Sequence, residues 1–384
     1  MCGKPHLLIG ARSALQNYSL LTAVKRETVM YDLYSLIEEM GRMRASDLHI
    51  TVGAPPVFRR DTKMVPAGGI ILDTGSCKSL IYGVLSDEQV KRFEKQWELD
   101  MSFGIKGVGR IRMNVFKQRG SVSAALRLIP TKMWTFEELN LPKIVYDVVN
   151  LPKGLVLVTG ATGSGKSTTL AAMINYINTN RSGHIVTIED PIEYIHSHKK
   201  CIINQREVGA DTPSFSSALK YVLREDPDII LIGEMRDLET IAAAATIAET
   251  GHLVFATLHT MDSASSINRM IDVFPAHQQG QIRAQLSLTL QAVLCQQLMP
   301  HMSGQGMVLS TEIMMMNAAM RNIIREMKTE QIYSQIQTGT KYGMQTMNQS
   351  MADNVLKKKI SKATAFEYTT NKDELERILA ACGR

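Results

Sequence analysis

The stretch LVLVTGATGSGKSTTL, residues 155–170, constrains this chain more than any other. Its opening, LVLVTG, reads as a strand covered on both faces, as in a parallel sheet packed between helices. Gly160, Gly165, Lys166 and Ser167 then satisfy the pattern G-x-x-x-x-G-K-[ST], and a helical pattern follows through about Asn178. Glycines at 160, 163 and 165 let backbone N–H groups turn inward around phosphate oxygens, while the helix directs its positive end toward them. Lys166 supplies a point charge to the terminal phosphates, and Ser167 offers a hydroxyl to Mg²⁺. The expected binding set is Gly160, Thr162, Gly163, Ser164, Gly165, Lys166, Ser167 and Thr168, with ATP and Mg²⁺ as its ligands. A chance Gly/Ser-rich turn would not need the strand before it or the helix after it.

The surrounding pattern places this loop in an α/β domain. HIVTIED (184–190), DIILIG (228–233) and LVFATLH (253–259) are apolar strands bounded by polar turns. Helical patterns, SSALKYVLRED and LETIAAAATIAET, lie between them, which predicts a mostly parallel sheet covered by helices. After Pro275 the pattern reads as mostly helical, clearest in QIRAQLSLTLQAVLCQQLMP and AAMRNIIREMKTEQIYSQIQ. The Met-rich EIMMMNAAM reads as adaptable core packing rather than a metal site.

Upstream, residues 31–133 read as a small α+β domain. YDLYSLIEEMG has helical spacing, LHITV and PVFRR alternate like strands, and SDEQVKRFEKQWELD is a helix with Ser86 as N-cap and Gln89 closing a capping box. GRIRMNVFKQRGSVSAALRLIP predicts two strands turning at Arg119-Gly120. The expected division is a leader over 1–30, the small domain over 31–133 and the ATP-binding domain over 134–384. Residues 1–29 read either as a disordered leader or as sequence upstream of a start at Met30.

Composition narrows the partners. A net charge of +6 over 384 residues is mild and does not argue for nucleic acid. Five cysteines, Cys2, Cys77, Cys201, Cys295 and Cys382, form no C-x-x-C pair, which disfavours a zinc module or a disulfide framework. No run approaches the ~18–20 apolar residues needed to span a bilayer.

Binding alone does not hydrolyse; a group must orient or deprotonate water. Glu234 follows the strand IILIG, which puts it at the carboxyl edge beside the loop, whereas Asp228 starts that strand at the opposite edge. Glu234 is therefore the expected water-activating base, the alternative being a structural pair with Arg236. TIEDPIEY brings Glu189, Asp190 and Glu193 to another strand end; Glu189 and Glu193 are candidates to hold Mg²⁺ or its waters, or else turn and cap residues. His259 follows a third strand at the same edge, as a site residue or as a structural hydrogen-bonding one.

Taken together, GATGSGKSTT, TIEDPIEY, DIILIGEMRD and AETGHLVFATLHTMDS resemble the Walker A, Asp box, Walker B and His box of the secretion ATPase superfamily of type II secretion and type IV pili. SDLHITVGAPPVFRRD resembles its N-terminal signature, so the likeness covers nearly all of 31–384. Within the superfamily the chain is most similar to the pilus retraction ATPases. AAMRNIIRE (318–326) and GMQTMNQSM (343–351) resemble their C-terminal segments, and the four-cysteine zinc insert of the assembly ATPases is missing after the His box. Ala161 stands where many relatives have Pro, RRDTK replaces a V-D-G turn, where Thr62 would be strained if it took φ > 0, and the leader has no counterpart.

The resemblance implies a RecA-like ATPase domain preceded by a small PAS-like domain, assembled as a homohexamer with nucleotide between the two domains. Arg112 and Arg127 match the family's sensing arginines and join Glu234, Glu193 and His259 as catalytic candidates; without the family they would read as solvated residues on a strand's polar face. It further implies a motor for pilus retraction, cytoplasmic and peripheral at the inner membrane, acting on a membrane-embedded platform protein without zinc or nucleic acid. Arg321, Asn322, Arg325 and Glu326 lie at helical spacing and read either as coupling residues or as an exposed charged face. Rival readings are an assembly ATPase driving extension or secretion, a RecA-like nucleic-acid motor, and a regulatory module with negligible turnover.

Overall fold

The structure, a computed structural model, describes residues 31–60, 63–129 and 132–382. The leader and the Asp61-Thr62 turn lie outside the described residues. The chain divides into two compact units, Met1–Leu128 and Ile129–Arg384.

The first unit is built on a six-stranded antiparallel sheet. Its strands are β1 (Asp47–Ile50), β2 (Val57–Arg60), β3 (Lys63–Pro66), β4 (Glu98–Ile105), β5 (Gly109–Gln118) and β6 (Ser121–Leu128), in the order β3-β2-β1-β6-β5-β4. Alternation sends Leu48, Phe58, Ile111, Met113, Val115 and Leu126 into one core. Helices α1 (Leu33–Met43), α2 (Thr74–Tyr82) and α3 (Asp87–Gln96) add Ile37, Met40, Ile81 and Phe93 to it. The β5–β6 hairpin turns at Arg119 (φ 49°) and Gly120 (φ 79°), the paired positive dihedrals that suit a tight hairpin of right-handed twist. The Ser86–Gln89 capping box forms as expected. The helix it starts is shorter than its sequence suggested: it stops at Gln96, Trp97 turns left-handed, and Glu98 begins β4. Pairing of the whole of β4 with β5 overrides the local helical preference of WELD.

The second unit holds a seven-stranded sheet in the order β13-β12-β7-β11-β10-β8-β9. Strands β7 (Gly154–Thr159), β8 (Gly183–Glu189), β9 (Cys201–Glu207), β10 (Ile229–Ile232), β11 (Leu253–Leu258) and β12 (Leu290–Pro300) run parallel, and β13 (Met307–Met315) closes one edge antiparallel. All six residues of β7 are buried, which is why the strand carries no alternation. Leu155, Leu157, Val186, Ile230 and Val254 pack one face against α6 (Phe215–Val222), α7 (Leu238–Glu249), α8 (Ser263–Asp272) and α9 (Ala276–Thr289). Val156, Val158, Ile185, Leu231 and Phe255 pack the other face against α4 (Ile144–Val149) and α5 (Lys166–Asn180).

The segment after Pro275 departs from the helical expectation. α9 ends at Thr289, and LQAVLCQQLMP is a strand, paired with β7 on one side and β13 on the other. Its Leu, Gln and Ala are good helix formers. Two sheet partners outweigh that preference. EIMM belongs to β13, with Met314 fully buried as core packing. The remaining chain forms α10 (Ala318–Arg325), α11 (Ile332–Thr338), α12 (Met347–Leu356), α13 (Lys362–Tyr368) and α14 (Lys372–Cys382). Among the described residues no helix is long and apolar enough to cross a membrane.

Candidate active site

β7 delivers the chain to the glycine loop at the carboxyl edge of the sheet. Gly160 sits at φ 140°, and a Cβ there would lie 2.4 Å from the Gln296 carbonyl oxygen and 2.6 Å from Ser164 Oγ. Gly163 and Gly165 have φ 79° and 89°, and nothing lies within 4 Å of a Cβ at Gly163. The loop is thus a backbone cradle tight at its base and open at its apex. Lys166 begins α5, is 9% exposed, and its Nζ donates to the carbonyl oxygens of Gly160 (2.8 Å) and Ala161 (3.0 Å). Burial pushes its ammonium below the usual lysine range, partly offset by the carboxylates of Glu234 and Glu193. Thr168 Oγ1 lies 2.9 Å from Tyr194 OH.

Glu234 follows β10 and His259 follows β11 on the adjacent strand, so both stand at the edge that carries the loop. One Glu234 oxygen lies 3.0 Å from His259 Nε2 and the other 2.7 Å from Arg236 Nη2. The structural pair with Arg236 forms, with the Arg236 side chain 70% exposed, and the Glu234 carboxylate also acts by charge on Lys166 of the loop. Burial raises the Glu234 carboxyl, but the Arg236 hydrogen bond and the His259 charge outweigh burial and hold it below the ordinary carboxylate value. The turn is braced from behind: Met235 N donates to the Thr257 carbonyl oxygen, and Thr257 Oγ1 donates to that of Gly233.

Glu189, the last residue of β8, has one oxygen committed to Thr187 Oγ1 (2.6 Å) and Gln205 Nε2 (3.2 Å). Burial raises its carboxyl above the ordinary value. That commitment suits Glu189 to bracing the turn more than to ligating a cation. Glu193 is exposed and acts on Lys166 by charge, so it and the Ser167 hydroxyl are the donors that fit Mg²⁺.

Beside the loop base, Ser164 Oγ is a buried hydroxyl without a hydrogen-bond partner, a group that can donate to a phosphate oxygen. Gln296 reaches the site because β12 lies beside β7, and its Nε2 holds Thr169 of α5 at 2.7 Å. Sequence reasoning missed Gln296, since a residue read as helical could not be placed against the loop.

Arg112 and Arg127 lie in the first unit. They face each other directly across β5 and β6, on the sheet face away from the apolar core. Each is held by a carboxylate: Arg112 Nη2 lies 2.6 Å from Asp100, and Arg127 Nε lies 2.8 Å from the buried Asp47. The Arg127 side chain remains 67% exposed. Of the C-terminal candidates, Asn322, Arg325 and Glu326 are exposed, but Arg321 is not a free surface charge. Its guanidinium donates to the carbonyl oxygens of Ser287 (2.6 Å) and Leu288 (3.0 Å), the unsatisfied acceptors at the end of α9.

The chain is similar to known proteins along most of its length. The family model described as "Type II/IV secretion system protein" matches residues 23–378, beginning inside the leader for which no counterpart was expected. The chain is 49% identical over 336 residues to the type IV pilus retraction ATPase PilT of Pseudomonas aeruginosa, covering 88% of this chain and 97% of that protein. It is 48% identical over 297 residues to a twitching motility protein of Neisseria gonorrhoeae, covering 77% of this chain and 79% of the other. A crystal structure described as the pilus retraction motor PilT with bound ADP superposes with a TM-score of 0.85 at 48% identity, covering 90% of this chain and 99% of that one. With its phosphate loop, its Glu234–His259 edge and a family match along most of its length, the chain belongs to the Type II/IV secretion system protein family.

Proposed function

We propose that this chain is a motor ATPase that hydrolyses ATP to power type IV pilus retraction. One observation carries the hydrolytic part: Glu234 follows β10 and His259 follows β11, the strand beside the loop-bearing β7, and the two side chains lie 3.0 Å apart. Phosphate charge, base and the base's orienting partner thus meet at one sheet edge.

The residues divide the work. The backbone N–H groups of the loop and the N-terminus of α5 receive the phosphates, and Lys166 exchanges the Gly160 and Ala161 carbonyls for phosphate oxygens. Glu234, anionic at neutral pH, accepts a hydrogen bond from the attacking water and takes its proton. His259 fixes one of its oxygens, and the exposed Arg236 can leave the other. Mg²⁺, when held by Ser167 and by Glu193 or its waters, neutralises charge on the phosphate oxygens. Arg112 and Arg127 exchange Asp100 and Asp47 for phosphate, so each guanidinium senses the state of the nucleotide.

Six copies form a ring in which hydrolysis drives rigid-body shifts in turn, and the ring works at the inner membrane face on a membrane-embedded platform protein. Likeness to PilT over 97% of that protein supports retraction; phosphate chemistry itself has no sign for extension or retraction. Deleting the gene and imaging pili on live cells tests the direction. Immobile, hyperpiliated cells are expected, and bald cells would instead assign an assembly motor.

A further inference from the structure

Among the buried carboxyls the hydrolytic scheme leaves unused, Glu312 stands nearest the segment that carries His259. Glu312 lies on β13 directly opposite Cys295 of β12 and is 3% exposed. Its Oε1 accepts two hydrogen bonds of 2.8 Å, one from the backbone N–H of Ser263 and one from the Ser263 hydroxyl. Ser263 is the first residue of α8, and Asp262 before it caps the same helix by accepting from Ser265 N at 2.7 Å. Two carboxyl groups therefore meet one helix N-terminus, Asp262 from the chain itself and Glu312 from the sheet edge. A helix start presents unpaired N–H groups, and a buried one needs partners of this kind.

What this clamp holds is the segment carrying His259. That segment leaves β11 at Leu258 and enters α8 at Ser263. Thr257 ties its upstream end to the Glu234 turn through Gly233. Downstream, Thr260 Oγ1 lies 2.6 Å from Ser266 Oγ, and Ser266 Oγ donates to the Asp262 carbonyl oxygen at 2.7 Å. The path from Glu312 to His259 therefore runs from Ser263, the first residue of α8, back through the non-helical Asp262, Met261 and Thr260, and Thr260 and Asp262 are both tied to Ser266. Burial lifts the Glu312 carboxyl above the ordinary value, against the pull of the Ser263 hydrogen bonds. Asp262 at the cap of α8, Cys295 on the facing strand and Tyr333 of α11 are titratable groups that act on it.

We propose that Glu312 is a positioning residue for ATP hydrolysis: by anchoring the first turn of α8 it sets His259 against Glu234. The inference rests on the ATPase reading above. It requires the acceptor oxygen of residue 312, and the loss caused by removing that oxygen passes through His259.

Steady-state ATPase kinetics of the purified full chain test this in four variants: Glu312→Ala, Glu312→Gln, His259→Ala, and Glu312→Ala with His259→Ala. Glu312→Ala should lower kcat by about tenfold with KM within about threefold, and Glu312→Gln, which keeps an acceptor oxygen, should recover most of the loss. The double variant should be no slower than His259→Ala alone, because residues acting as one unit are non-additive. Independent losses that multiply, or a Glu312→Ala kcat equal to wild type, would overturn the proposal. If Glu312→Ala does not fold, Ser263→Ala takes its place; it removes only the hydroxyl donor and should lower kcat about threefold, again with no added loss beside His259→Ala. Failure of the underlying reading looks different: Glu234→Ala would then turn over ATP as fast as wild type.

Discussion

Placing alanine at Gly160 should damage the second unit far more than the same change three residues later. The Gly160 backbone has φ 140°, and a methyl group there would lie 2.4 Å from the Gln296 carbonyl oxygen and 2.6 Å from Ser164 Oγ. Ser164 can rotate away, but the Gln296 oxygen belongs to the backbone of β12, which is paired on both sides. The strained backbone costs about 1–3 kcal/mol, and forcing the strand to yield costs about 1–3 kcal/mol more. At Gly163, φ is 79° but nothing lies within 4 Å of the added carbon, so only the left-handed penalty of about 1–2 kcal/mol applies. Thermal unfolding without nucleotide, followed by circular dichroism, should show Gly160→Ala melting roughly 5–20 °C below wild type, at about 2–4 °C per kcal/mol for a unit of this size. Gly163→Ala should melt well above Gly160→Ala. Equal melting of the two variants, or a Gly160→Ala transition within about 2 °C of wild type, would refute the packing of the loop base against β12.

Two further outcomes follow from a half-buried histidine and a buried glutamate in the same unit. Burial, with Lys199 nearby, depresses His196 to about 4, and its Nδ1 is buried without a partner. The unfolded chain therefore binds a proton below pH ~6.5 that the folded chain refuses until about pH 4. Stability from this group is complete above pH ~6.5 and is lost as pH falls toward 4, by at most about 3 kcal/mol; His196→Gln should flatten that acid limb in urea titrations, and an unchanged limb would contradict the assignment. Glu374, 3% exposed, accepts from Tyr333 OH, Gln337 Nε2 (3.0 Å) and Asn348 Nδ2 (2.6 Å), so Glu374→Ala removes their shared acceptor, most costly for the buried Asn348, and should cost about 1–3 kcal/mol, read as a lower urea midpoint at unchanged slope.

The parts of the site legible in the sequence were those where chemistry and local structure coincide. LVLVTG, the glycines and Lys166 are contiguous, so strand, turn and helix announce themselves together. Glu234 and His259 were placed correctly because each directly follows an apolar strand, and a parallel sheet sends those ends to one edge. What stayed hidden depended on pairing between distant segments. LQAVLCQQLMP has helical propensity and becomes a strand only because β7 and β13 flank it, and with that misreading Gln296 vanished from the site. Glu312 and Ser263 are 49 residues apart, and although Ser263 closes the His-box stretch, nothing in that stretch points to Glu312. The alternation of β9 was present in CIINQRE, where Cys201 and Ile203 are buried and Ile202 and Asn204 exposed, but it is short and lies at a sheet edge. Arg321 shows the opposite limit: helical spacing gave it a surface role, while the carbonyls it caps belong to another helix.

Phosphate release by purified Glu234→Gln, measured beside its ATP affinity, bears most directly on whether this carboxylate works on a triphosphate held at Lys166. The glutamine keeps the size and hydrogen-bonding reach of the side chain toward His259 and Arg236 but cannot take a proton. Turnover should fall by about 10²–10⁴-fold while the ATP dissociation constant stays within about threefold. Turnover equal to wild type, with ATP bound normally, would show that hydrolysis here does not run through Glu234.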